Sequence, residues 1–184
     1  MKKLLLVMGD LATGKSTFAN ILSQRYDTNV FFKDTIKEVL GDTIGFLNRE
    51  ENLKLSKTTM ELMLLIFKEF GKLNKNLILE SNFHDVELEK LHKIASENNY
   101  EVLTLVLRGD VDILHKRYLN RIQNKNRHPV HLSTSFDIFD DFKKYIEKAR
   151  SEKIPGNTLY INADDFSYQI NEDILAKIDN FMKD

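Results

Sequence analysis

The chain has 184 residues, a length that suits one domain, taken as residues 1–184, with enough material to bury a core. Its 27 basic and 28 acidic residues leave a net charge of −1, so there is no electrostatic footprint for wrapping long nucleic acid or lying on an anionic membrane. Hydrophobic residues at 42%, charged residues at 30% and two prolines exclude a disordered or collagenous chain, and the lack of cysteine excludes disulfides, thiolate zinc sites and cysteine nucleophiles.

The first residues, "MKKLLLVMGD", mimic a secretory leader, but the apolar run stops at Met8 and an acid follows. No run approaches the ~20 apolar residues of a membrane span. A cytoplasmic protein is expected. Instead, Leu4 to Met8 is read as a buried strand, and the residues after it, Gly9-Asp10-Leu11-Ala12-Thr13-Gly14-Lys15-Ser16, satisfy G-x-x-x-x-G-K-[ST]. A helix from Thr17 to Gln24, with Phe18, Ile21 and Leu22 on one face, completes the strand-loop-helix setting in which this pattern holds phosphates. Successive N–H groups and the helix N-terminus face the phosphate oxygens, Lys15 reaches the outer phosphates, and Ser16 binds Mg²⁺. Gly9 through Thr17 are the expected nucleotide-binding residues.

The next strand, "VFFKD", brings Asp34 to the carboxyl edge of a parallel sheet, where doubly wound sheets bind ligands. A carboxylate there can take the proton of an attacking hydroxyl or hold the water shell of a metal; it can also cap the helix that "TIKEVL" begins. A long helix follows over Asn52 to Leu73, with Leu53, Met60, Met63, Leu64, Phe67 and Phe70 at helical spacing. The third strand, "NLILESN", ends in Glu80, a metal-supporting acid acting directly or through water. Asn82 and His84 lie on the loop beyond it, as substrate contacts or as plain turn residues.

A helix over Asp85 to Asn98 leads to the strand "EVLTLVLRG" and to a helix over Asp112 to Gln123. Arg117 and Arg121, at i and i+4, share a face of that helix, and Arg127 stands in the irregular segment Asn124 to Ser135. Guanidiniums suit the charge that spreads over a transferring phosphoryl group, although a solvated helix face explains the same spacing. His128 and His131, without companion ligands, read as loop or lid residues rather than metal ligands. A helix from about Phe136 to Glu152, the strand "NTLYINAD" and a helix from Asn171 to Phe181 close the chain. Strands alternating with helices predict an α/β fold with a parallel sheet covered on both faces.

Taken in order, "GDLATGKST", "KDTIK", "LESNF", "DILHKRYLNR" and "NRHPVH" resemble the small P-loop kinases of the type that includes chloramphenicol phosphotransferase, zeta toxins and the kinase domain of polynucleotide kinase. The resemblance implies a three-layer α/β/α P-loop NTPase fold, a five-stranded parallel sheet of order 2-3-1-4-5, and a small helical lid over roughly 117–135. It implies that Asp34 accepts the proton of the acceptor hydroxyl, that Arg117, Arg121 and Arg127 are lid arginines, and that the base of ATP lies near "NADD" at 162–165. Lys37 matches an arginine that contacts substrate phosphate in polynucleotide kinases, and the helix from Asn52 to Leu73 would wall the acceptor site.

The expected activity is therefore transfer of the γ-phosphate of ATP, with Mg²⁺, to a hydroxyl of a small-molecule or nucleotide-like acceptor. The 5′-hydroxyl of a nucleic acid terminus and a nucleotide sugar are alternative acceptors. A nucleotide-dependent binding module for a protein partner is the non-enzymatic alternative. A guanine-nucleotide switch is disfavoured, because "NKNL" at 74–77 and "NKNR" at 124–127 lack the Asp of N-K-x-D.

Overall fold

The structure, a computed structural model, describes residues 1–123, 127–132 and 135–183. Five strands form one sheet: β1 (Lys2–Gly9), β2 (Val30–Phe32), β3 (Leu77–Glu80), β4 (Tyr100–Arg108) and β5 (Asn157–Asn162). They run parallel in the order β2-β3-β1-β4-β5. Among the described residues seven α-helices surround it: α1 (Lys15–Arg25), α2 (Lys33–Ile44), α3 (Arg49–Phe70), α4 (Asp85–Glu97), α5 (Val111–Ile122), α6 (Phe139–Arg150) and α7 (Glu172–Lys183). Short 3₁₀ turns stand at Pro129–His131 and Ser167–Ile170.

β1 is central because both of its faces are apolar: Leu4, Leu5, Leu6 and Val7 are fully buried. Leu4, Leu6 and Met8 pack with Met63 and Phe67 of α3 and Leu88 and Leu91 of α4. Leu5 and Val7 point the other way, toward Phe18 and Leu22 of α1 and Ile178 of α7. Each such leucine contributes roughly 1.5–3 kcal/mol relative to exposure, which makes a continuous apolar run the right sequence for a strand sandwiched between helical layers. Leu114, Tyr118, Phe142 and Ile146 form a smaller core that joins α5 to α6.

The register decides where the polar ends emerge. Val7 pairs with Glu80 and with Leu105, and Phe32 also pairs with Glu80. The ends of β1, β2 and β3 therefore align on one edge, and the phosphate loop, Asp34 and Glu80 leave the sheet side by side.

Boundaries differ from the sequence reading at several ends. α3 starts at Arg49, where Asn48 accepts a hydrogen bond from Glu51 N at 3.0 Å, and it stops at Phe70 rather than Leu73. α6 begins at Phe139 instead of Phe136, whose carbonyl is taken by the His115 ring. α2 begins at Lys33, with Phe32 at its cap, so Asp34 lies in the first turn and does not cap the helix. An acid in that turn still meets the positive end of the helix. Of the lid expected over 117–135, residues 117–122 belong to α5 and 129–131 form the 3₁₀ turn, while 124–126 and 133–134 lie outside the described residues.

Candidate active site

The loop between β1 and α1 is built by glycine where no other residue fits. Gly14 has φ +87°, and a Cβ there would come 2.9 Å from the Tyr168 hydroxyl and 3.0 Å from the Phe166 ring. Gly9, at φ +130°, has a different constraint: a Cβ would fall 2.0 Å from the carbonyl oxygen of Leu107 on β4. Close approach to β4, rather than to a phosphate, thus fixes Gly9. Ala12 also has positive φ, +61°, and completes the turn.

Partners distant in sequence hold this loop. Tyr168 donates to Thr13 O at 2.8 Å, and Thr13 Oγ1 donates to Asp10 O at 2.9 Å. The Asp10 carboxylate faces away from the cavity, where it accepts from Arg150 Nη2 at 2.5 Å and from Gly109 N at 3.2 Å. Asp10 accordingly shapes the loop through its side chain.

Along one side of the loop opens a cavity of about 890 Å³, large for a small-ligand site. Leu11, Ala12, Gly14, Lys15, Ser16 and Thr17 line it from the loop and the start of α1. Asp34, Lys37, Glu80, Asn82, His84, Arg117, Arg121 and Arg127 line it from the other elements. The tertiary structure thus brings the sequence-predicted residues to one cavity, apart from Gly9, Asp10 and Thr13, which support the loop from behind.

Lys15 Nζ donates to Asp10 O at 2.6 Å. Burial pushes its pKa down, opposed by the nearby carboxylates of Glu80, Asp34 and Asp10. Glu80, 5% exposed, is pushed up by burial and pulled back by Lys15. Ser16 Oγ donates to Glu80 Oε2 at 3.2 Å. Hydroxyl and carboxylate oxygens together make the hard donor set that Mg²⁺ prefers, so Ser16 and Glu80 fit such an ion. Among the described residues no cluster of three His, Asp or Glu side chains forms a metal cage, so water and phosphate oxygens would complete the coordination.

The arginines separate. Arg117 donates to Ala163 O at 2.7 Å and to Asp164 O, and its guanidinium stacks over the Phe166 ring at 4.4 Å. These bonds tie it to the loop after β5, so its donors are already engaged there. Arg121 is the arginine whose charge acts on both Lys15 and Glu80. Arg127, pushed down by burial and by Arg121, has a buried Nε with no hydrogen-bond partner among the described residues.

Lys37 is buried and donates to Asn52 Oδ1 at 2.6 Å. Asn52 in turn donates to Val130 O at 3.0 Å, so α3 does contribute to this wall, through a polar residue outside its apolar stripe. Leu53, 53% exposed, also faces the cavity. Asn82 Oδ1 is buried without a hydrogen-bond partner among the described residues. His84 stands at the rim: it caps α4 and its Nδ1 lies 2.8 Å from Glu152 Oε1.

Sequence reasoning missed Phe166, Tyr168, Arg150, Asn52 and Tyr145. Asn52, Tyr145 and Phe166 line the cavity, while Arg150 and Tyr168 hold the loop from behind it, and none belongs to a local pattern. His131, expected in a loop or lid, stands in the 3₁₀ turn; its side chain, 10% exposed, touches Glu38 and approaches Asp34.

A G-x-x-x-x-G-K-S loop opening a helix beneath a parallel 2-3-1-4-5 sheet, with an acid at the end of the neighbouring strand, defines the P-loop kinase fold. Solved structures agree. A candidate kinase from Chloroflexus aurantiacus superposes with TM-score 0.79 at 26% identity, covering 97% of each chain. Shikimate kinase from Bacteroides thetaiotaomicron does so with TM-score 0.64 at 16% identity over 98% of each chain. The tunicamycin resistance protein of Deinococcus radiodurans also gives 0.64 at 16% identity, over 97% of this chain and 96% of its own. No protein-family model and no curated protein sequence matches the chain.

Proposed function

We propose that this protein is an ATP-dependent phosphotransferase that moves the γ-phosphate to a hydroxyl of a small-molecule acceptor. The observation that carries the reading is that Asp34 shares one cavity with Lys15, Glu80 and Arg121, with Lys37 and Arg127 also in its lining. One cavity of about 890 Å³ accommodates both a nucleotide and a modest acceptor. The similar structures include shikimate kinase and a gluconokinase, which supports an acceptor of small size.

In this reading the amides of Leu11 to Ser16 and the end of α1 bind the phosphates. Lys15 leaves Asp10 O to meet the outer phosphates. Ser16 and Glu80 would hold Mg²⁺, which when bound would neutralise phosphate charge. Asp34 accepts the hydroxyl proton as the acceptor oxygen attacks, and Arg121 stabilises charge on the transferring group. Arg117 and Phe166 shape the base end of the nucleotide site.

Mixing the protein with γ-labelled ATP and fractionated metabolite pools should show a compound that gains one phosphoryl group. Asp34→Asn should bind ATP as the wild type does and lose that transfer, by roughly a hundredfold or more. Retained turnover would remove Asp34 as the base. Lys15→Ala should weaken nucleotide binding as well.

A further inference from the structure

Asp34, Glu38 and Asp42 stand at i, i+4 and i+8 on α2, so three acids share one helix face. Like charges at that spacing repel. The turn Pro129–His131 lies against this face: His131 Nε2 is 2.7 Å from Glu38 Oε1, His131 Nδ1 is 4.0 Å from Asp34 Oδ2, and His128 Nε2 is 3.0 Å from Asp42 Oδ1. The turn is fixed by packing. Val130 is 1% exposed, its Cγ1 would lie 2.3 Å from a Cβ on Gly41, and its carbonyl accepts from Asn52. His131 is therefore held, while Asp34 beside it is open to the cavity, with 57% of its side chain exposed.

The hydrogen bond to Glu38 has a chemical consequence. An ionised carboxylate only accepts, so in the neutral ring the proton belongs on Nε2 and the lone pair on Nδ1. That lone pair faces Asp34. A histidine oriented by one carboxylate through one nitrogen, with its other nitrogen free to take a proton, is the arrangement that stabilises an imidazolium when the proton arrives.

We propose that His131 is the proton outlet of Asp34, a positioning and relay residue whose role rests on Asp34 being the base. As the acceptor oxygen forms its bond to phosphorus, its O–H bond breaks and the proton passes to an Asp34 oxygen. From there it moves to His131 Nδ1, leaving Asp34 a carboxylate and His131 an imidazolium held by Glu38; release of the Nδ1 proton to water resets the ring. The 4.0 Å gap is closed by a torsional shift of Asp34 or by one bridging water, as such contacts tighten when substrate binds. The other charged groups around the ring are Lys37 on α2 and Arg127 and His128 on its own segment, with Arg121 of α5 acting on Arg127.

The full chain with ATP and Mg²⁺, water standing in for the acceptor, supplies the assay. His131→Gln should lower kcat for ATP hydrolysis roughly tenfold with KM for ATP unchanged, and His131→Ala should recover rate when imidazole is added. In long-range ¹H–¹⁵N spectra the neutral ring should show the Nε2–H tautomer, and Glu38→Ala should abolish that preference. A wild-type kcat in His131→Gln, a His131→Ala variant deaf to imidazole, or an Nδ1–H ring would each overturn the relay. Asp34→Asn in the same assay separates the two readings: if it stays active, the base itself is misassigned and the relay falls with it, whereas an inactive Asp34→Asn beside a fully active His131→Gln overturns the relay alone.

Discussion

Arg150 grips Asp10: its Nη2 lies 2.5 Å from Asp10 Oδ2, and the same nitrogen donates to Gly109 O at 2.5 Å. A residue near the end of α6 thereby fixes the second residue of the phosphate loop, 140 positions earlier in the chain. The Asp10 side chain is 3% exposed and that of Arg150 29%. Removing Arg150 leaves a buried carboxylate without its cation, which costs about 3–5 kcal/mol for a fully buried pair and somewhat less at this exposure. Arg150→Ala should therefore lower the urea midpoint and weaken ATP binding together. If the double variant with Asp10→Ala is no more stable than the single one, the pair is not the source of the effect.

Tyr168 tests a smaller part of the same support. Its hydroxyl donates to Thr13 O in a buried setting, and its ring meets Phe18 edge-on at 5.1 Å. Tyr168→Phe keeps the ring contact and removes only the donor. A loss of about 1–2 kcal/mol is expected, with reduced ATP affinity because the loop carbonyl is freed to move. Thermal melting and nucleotide titration would measure both; an unchanged affinity would show that Gly14 and Arg150 suffice to hold the loop.

Arg117 and Arg121 share a helix face yet are given separate tasks by their surroundings. Arg117 is bonded to Ala163 O and stacked on Phe166, so Arg117→Ala should raise KM for ATP by roughly tenfold and change kcat little. Arg121 acts on Lys15 and Glu80, so Arg121→Ala should lower kcat while leaving ATP binding nearly intact. Steady-state kinetics of the two variants would distinguish them. Equal effects on both parameters in both proteins would argue that the face acts as a unit.

Burial of Lys37 makes stability depend on pH with a definite sign. Its folded pKa lies below the ordinary 10.5, chiefly from desolvation, so between the lowered value and 10.5 the unfolded chain binds more protons. Stability from this residue consequently rises as the pH rises through that window, and the cost of burying the charge is full below it. Lys15 shifts in the same direction and adds to the slope. Lys37→Met should be most favourable relative to wild type near neutral pH, and that advantage should shrink as the pH approaches 10.5. Melting curves over that range check it; a difference that grows with pH would contradict the assignment.

Much of the fold was legible because its signals are local. Leu4 to Val7 is a short apolar run ending at a glycine loop, the pattern of a strand buried on both faces, and the glycine-lysine loop announces its own geometry. Asp34 and Glu80 could be placed because Glu80 ends β3 and Asp34 follows the end of β2 by two residues, and parallel strands deliver their ends to one edge. Helix starts were less legible: Asp34 resembles a cap in sequence, yet pairing of Phe32 with Glu80 draws the helix start back to Lys33.

The sequence alone determined the layered α/β architecture, the phosphate loop and the acids beside it, since all of these follow from periodicity and from motifs a few residues long. Only the tertiary structure decided how the polar residues divide the work. It turned Asp10 away to Arg150, sent Arg117 to the loop after β5, buried Lys37 against Asn52 and laid His131 between Glu38 and Asp34. These pairings join residues tens of positions apart, and their geometry is fixed by how the helices pack on the sheet, a property that no local stretch of the chain carries.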